Sequence, residues 1–207
     1  MNKTASIAGA AGILGAALVG AWATTGNASP DAPAPRAAHA ASQWNLDSVH
    51  SSVQFRIMHL GITPFLGEFN EVRGEFTLDP DNITNGSISI EIPIESIDTS
   101  NETRNGHLLA SDFFNGRQFP LIRFESTGIT RKSGNNYALE GNLTLHGETH
   151  PVTADMTYYG TAEMRGTQKV GFGATFTIDR TKFGLTKWDG ILGNEVTIEV
   201  GIQGNAS

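Results

Sequence analysis

The chain has no cysteine at all. That excludes disulfides, thiolate metal ligands and a lipid-modified N-terminal cysteine, so burial of apolar surface has to hold the fold by itself. Basic residues are scarce as well: 14 Lys and Arg stand against 21 Asp and Glu, a formal net charge of -7, which argues against a nucleic-acid partner. There is no Gly-x-Ser-x-Gly turn and no twin arginine, and the glycines are too scattered to form a phosphate-cradling loop. Long helical patterns are few. What the chain does have is 24 glycines and repeated alternation of apolar with polar residues, which together point to an all-β domain with many turns.

Residues 1–41 differ in composition from the rest and read as an export signal. Lys3 supplies a basic start, Ala5 to Ala23 is uncharged, and Ala38-His39-Ala40 offers the small residues a signal peptidase accepts. An uncleaved membrane anchor is the alternative, because the uncharged run approaches the roughly 20 residues that span a bilayer. The Pro/Ala-rich stretch Ala28 to Ala41 reads as a tether or cleavage region. Residues 42–207 then form one domain, long enough to bury a sizeable core.

Within that domain the period is two. Val53, Phe55, Ile57 and His59 share one strand face, and Ile88, Ile90, Ile92 and Ile94 repeat the pattern. Turn signals at Asp79-Pro80, Asn85-Gly86, Ser133 to Asn136 and His146-Gly147 separate such runs. The spacing predicts strands over Ser52–His59, Gly67–Leu78, Gly86–Ile94, Leu121–Gly128, Tyr137–His146, Val152–Tyr159, Lys169–Asp179 and Glu195–Ile202. About eight antiparallel strands can close into a barrel whose interior either fills with side chains or holds one small ligand, and alternation leaves both open. The segment Asn101 to Phe114 breaks the pattern with an Asn cap and helix-compatible spacing, so one or two short helices are expected near residues 101–114.

Several polar residues invite chemical readings. His146 and His150 are four apart, but Gly147 and Pro151 favour a polar turn over a metal site. Asp47, His50 and nearby serines hold the parts of a nucleophilic triad, yet a strand-entry capping network explains them without an oxyanion site. His59 falls on an apolar face, either as a satisfied core histidine or as a polar contact to a ligand head group. Arg104 and Asp112 flank the helical segment, where an ion pair is expected, and Asp98, Arg123 and Arg180 admit the same structural reading. Sequons at Asn82, Asn85, Asn101 and Asn142 are expected to stay unmodified. No catalytic residue, metal or cofactor is assigned.

In order along the chain come Trp44-x-Leu-Asp-x-x-His50-Ser51-x-x-x-Phe55, His59-Leu60-Gly61, Gly67-x-Phe69 and Ser96-Ile97-Asp98-Thr99. Arg104, His107-Leu108, Asp112-Phe113-Phe114 and Phe119-Pro120-x-Ile122-x-Phe124-x-Ser126 follow. Gly141-x-Leu143-Thr144-Leu145-His146-Gly147, Gly171-Phe172, Arg180-x-x-Phe183-Gly184 and Leu192-Gly193-x-Glu195-Val196 complete the series. The series resembles the YceI-like family of polyisoprenoid-binding proteins across nearly all of residues 44–203. The resemblance implies an eight-stranded, lipocalin-like antiparallel barrel, periplasmic and non-enzymatic, with a long apolar cavity for an isoprenoid chain or quinone tail. A homodimer and a transient membrane contact are in keeping with it. With the barrel hollow, alternation makes Phe55, Ile57, Ile90, Ile92, Phe124, Leu143, Met156, Phe172, Phe176 and Ile198 the lining candidates, and His59 the candidate polar contact. Asn194 departs from the family, whose members often carry an acidic residue there.

Overall fold

The structure is a computed structural model and describes residues 42–207. The export segment expected over residues 1–41 lies outside the described residues. In chain order the elements are β1 (Ser42–Leu46), β2 (Ser52–His59), β3 (Thr63–Phe69), β4 (Arg73–Leu78), β5 (Ser87–Pro93), β6 (Ile97–Asp98), α1 (Glu102–Leu109), β7 (Leu121–Ser133), β8 (Asn136–Leu145), β9 (Glu148–Met164), β10 (Thr167–Asp179) and β11 (Leu192–Ala206). Single 3-10 turns occupy Ile83–Asn85, Ile94–Ser96 and Arg180–Phe183. Among the described residues no helix is long and apolar enough to cross a membrane.

The named strands pair antiparallel, and β1, β4, β5, β7, β8, β9, β10 and β11 close a circuit in which β11 returns to β1. This is the eight-stranded barrel the alternation called for. Three of its staves are interrupted. Leu46 pairs with Gly204 and Ser52 with Gly201, so β1 and β2 are two pieces of one stave running along β11. Trp44 pairs with Phe76 and Val53 with Phe69, which makes β4 and β3 the next stave; β5 and β6 continue the sequence beside them.

The breaks have local causes. At the first, the Asp47 carboxylate accepts the backbone N–H groups of Val49 at 3.1 Å and His50 at 3.3 Å, an Asx-type turn that lifts the chain off the ladder. The carboxylate also takes the His50 ring (3.1 Å), Gln203 (3.1 Å) and Asn205 (3.3 Å), tying the turn to β11. It therefore serves the capping role. Partial burial pushes its pKa up, but the hydrogen bonds from His50 and Asn205 and the charge of His50 outweigh that and hold it at about 2.

Three expectations change here. β1 joins the barrel although only Trp44 in it is buried, too little alternation to announce a strand. The expected Gly67–Leu78 strand is broken between Phe69 and Arg73, while β7 and β9 extend past their predicted ends with mostly exposed residues, and β11 extends with mainly polar and glycine residues that carry no apolar period. The helix stops at Leu109. Asn101 caps it by accepting the Arg104 N–H at 2.9 Å, and residues beyond it fold into successive turns.

One end of the barrel is solid. Trp44, Val72, Phe76, Leu78, Ile83, Tyr137, Met156 and Val170 are all buried there, with the Ile83–Asn85 turn as a plug. The Trp44 indole N–H donates to the Leu78 carbonyl at 3.1 Å, and Phe76 meets Phe172 edge to face at 5.3 Å. Each large side chain buried this completely contributes about 1.5–3 kcal/mol.

Candidate ligand cavity

Above that floor the barrel is hollow. The decisive sign is exposure: Phe55, Ile92, Phe124, Phe176, Ile198 and Val200 face the interior, yet each is only partly buried because it looks onto empty space. The cavity has a volume of about 200 Å³, and its accessible wall is apolar.

Of the residues expected in the lining, Phe55, Ile57, Ile90, Ile92, Phe124, Leu143, Phe172, Phe176 and Ile198 border the cavity. Two do not. Met156 faces inward but sits in the packed floor, only 1% exposed, because the closed end leaves no space beneath Phe172 and Ala174. His59 is exposed, since by the end of β2 the stave has reached the rim and pairs with Leu192 beyond an irregularity in the ladder. It is neither a core histidine nor part of the lining. Alternation gave the face of each strand but not its height along the barrel axis.

Sequence reasoning missed one whole side of the cavity. Phe65 and Phe69 of β3, Leu108 of α1, and Phe113 and Phe114 of the following turns all border it. The β3 contribution lies in the alternation Phe65-x-Gly67-x-Phe69, which begins ahead of the strand start expected at Gly67. Gly67 leaves room for the Phe55 ring: a Cβ there would lie 2.3 Å from Phe55 Cζ. Phe113 and Phe114 meet edge to face at 4.9 Å, and adjacency on a helix-like segment gave no hint that both turn toward the barrel.

Arg180 is buried in the wall at 2% exposure. Its Nε donates to Gly193 O (2.9 Å), Nη1 to Lys187 O (3.0 Å) and to Leu185 O, and Nη2 to Leu192 O (3.1 Å) and Asn194 Oδ1 (3.4 Å). Burial pushes its pKa down, opposed by the charges of Asp189 and Asp179. The guanidinium thus staples the 185–194 loop to the barrel, and Asn194 joins it as a neutral acceptor.

His146 and His150 support the same end of the barrel. His146 Nδ1 lies 3.1 Å from Phe183 O and His150 Nε2 lies 2.9 Å from Lys182 O, so both rings latch the β8–β9 hairpin onto the Arg180–Phe183 turn. Among the described residues no group of three or more His, Cys, Asp or Glu is arranged to hold a metal.

The ion pair expected between Arg104 and Asp112 does not form. Asp112 instead meets Lys187 at 3.0 Å and His107 at 3.6 Å, and the Lys187 hydrogen bond is the main reason its pKa is lowered. Arg104 turns the other way: Nε donates to Thr99 Oγ1 at 2.9 Å, one Nη2 hydrogen goes to Thr99 O at 2.5 Å, and the guanidinium carbon stands 4.5 Å over the Phe65 ring. Asp98, whose pKa is lowered chiefly by the Ser100 N–H, holds Asn105, which in turn accepts from Thr99. Arg123 pairs with Glu91 at 2.8 Å on the barrel surface.

Residues 44–204 match the family model described as YceI-like domain. A UPF0312 protein of Vibrio cholerae is 32% identical over 154 residues, covering 73% of this chain and 81% of that protein. One from Yersinia pestis is 35% identical over 156 residues, 75% and 81% of the two chains. Among solved structures, Burkholderia cenocepacia BcnA superposes with a TM-score of 0.68 at 26% identity, over 76% of this chain and 98% of its own. A polyisoprenoid-binding domain from Saccharophagus degradans shares the fold, with a TM-score of 0.62 at 12% identity over 81% and 100% of the chains. With its closed eight-stranded barrel, one short helix and a family match over nearly the whole described domain, the chain belongs to the YceI-like family.

Proposed function

We propose that this protein holds an isoprenoid or similar long-chain lipid in its barrel and, after export, serves as a carrier or store for it outside the cytoplasm. The observation that carries the reading is the cavity: a space inside the barrel whose accessible wall is apolar, lined from opposite strands by Phe, Ile, Leu and Val. A flexible hydrocarbon chain leaving water for such a wall gains about 25 cal/mol per Å² of apolar area buried. The partly exposed Phe55, Phe124 and Phe176 offer the surface an occupant would cover. The ionisable side chains in the lining are Arg104 and Arg180; with no carboxylate or histidine in the lining, the site favours binding over proton transfer. The polyisoprenoid-binding relative of the same fold adds support.

Denaturing extraction of the purified protein, followed by mass spectrometry of the released apolar material, tests this. A prenyl, quinone or other long-chain species at one per chain is the expected result. A folded protein that releases nothing and takes up no added polyprenyl lipid overturns the reading.

A further inference from the structure

The cavity wall is asymmetric in charge. Its lining includes two arginines and no carboxylate, so its electrostatic bias is entirely positive. The two arginines differ in what they have left to offer. Arg180 is buried, and each nitrogen of its guanidinium is engaged by the loop it staples. Arg104 is the one exposed residue of the lining, which places it where the cavity meets solvent. Its Nε and Nη2 are fixed by Thr99, but Nη1 has no hydrogen-bond acceptor among the described residues. The Asp98–Asn105–Thr99 relay and the Phe65 ring beneath hold the guanidinium in one orientation, so part of the entropic cost of ordering it is already met before a ligand arrives.

From this we propose that Arg104 is the head-group site of the cavity, and that it selects chains ending in an anionic oxygen group, a phosphate or a carboxylate, over neutral or cationic amphiphiles of equal length. The inference rests on the lipid-holding reading above. A chain threaded between the strands leaves its head at the mouth, and there a guanidinium edge with donors to spare forms charge-assisted hydrogen bonds that an alcohol or ammonium head does not match.

The test uses delipidated full-length protein and matched probes: farnesyl phosphate against farnesol, and palmitate against hexadecanol, each titrated in competition with a fluorescent apolar dye. The expected result is a preference of about tenfold for the anionic member of at least one pair. That preference should narrow as salt is raised and collapse toward equality in Arg104→Gln. Arg104→Lys should keep part of it, and Arg123→Gln on the outer wall all of it. The phosphate and carboxylate pairs tell the two head groups apart. Equal binding of anion and alcohol by the natural protein overturns the proposal, as does a preference that ignores salt or survives Arg104→Gln. If neither member of either pair binds, the lipid reading itself falls and takes this one with it.

Discussion

The two ends of the barrel are built from the same staves and the same residue types, yet one is solid and the other hollow. At the closed end, Trp44, Leu78, Ile83 and Met156 are at most 4% exposed, and a 3-10 turn fills the axis. Toward the mouth, Phe55, Ile92, Phe124 and Ile198 point just as squarely inward but remain partly exposed. The difference lies in what crosses the axis. Below, side chains from facing staves meet one another. Above, the bordering residues come from a helix and turns that roof the space without filling it, and the loop they face is held back by Arg180. The solid half therefore supplies stability, and the hollow half is released from that duty.

The sharpest way to break this comparison is to make one substitution at both ends. Ile83→Ala, in the plug, should cost about 3 kcal/mol, whereas Ile198→Ala, on the cavity wall, should cost about 1 kcal/mol because its side chain is only partly buried. Denaturant melts of the two variants decide it; equal losses would mean that the upper half is packed as tightly as the lower.

A smaller effect belongs to the closed end alone. The Asp47 pKa is depressed to about 2 by its partners, from an ordinary value of 3.8. A depressed carboxylate contributes stability that is fully present above its unfolded value and is lost as pH falls through the folded one. Stability should thus drop by about 2 kcal/mol between roughly pH 4 and pH 2. In Asp47→Asn that portion of the acid dependence should vanish, as followed by thermal melts across this window.

The smallest change in the protein itself is aimed at the mouth. Gly67→Ala would place a methyl carbon 2.3 Å from the Phe55 ring and drive the ring into the cavity. Lipid affinity should fall about tenfold. Folding stability should move far less, since the ring swings into open space. Titration with a polyprenyl probe alongside a denaturant melt separates the two readouts, and a variant that melts early with its affinity intact would contradict the hollow upper half.

Much of this architecture was legible because a period of two survives any tertiary context. The β8 residues Tyr137, Leu139, Gly141, Leu143 and Leu145 alternate inward as their spacing required, and the His146-Gly147 turn adopts the positive φ values of 53° and 84° that its residues tolerate. Illegible were the features that depend on three-dimensional depth. Met156 and Ile198 are both inward-facing residues in alternating strands, and nothing local distinguishes the floor from the wall. Arg104 pairs with Thr99 and Phe65 instead of Asp112, contacts across the fold that no spacing within the helical segment announces.

By itself, then, the sequence determined the all-β class, the eight staves, the inward face of each and the helical interruption, since these follow from side-chain periodicity and turn chemistry acting over a few residues. Only the tertiary structure decided that the barrel is hollow at one end, that His59 lies outside it, and that a lone arginine edge stands at its mouth. Those outcomes depend on how far apart facing strands are held and on which loop crosses the axis, distances between residues remote in the chain that no local pattern encodes.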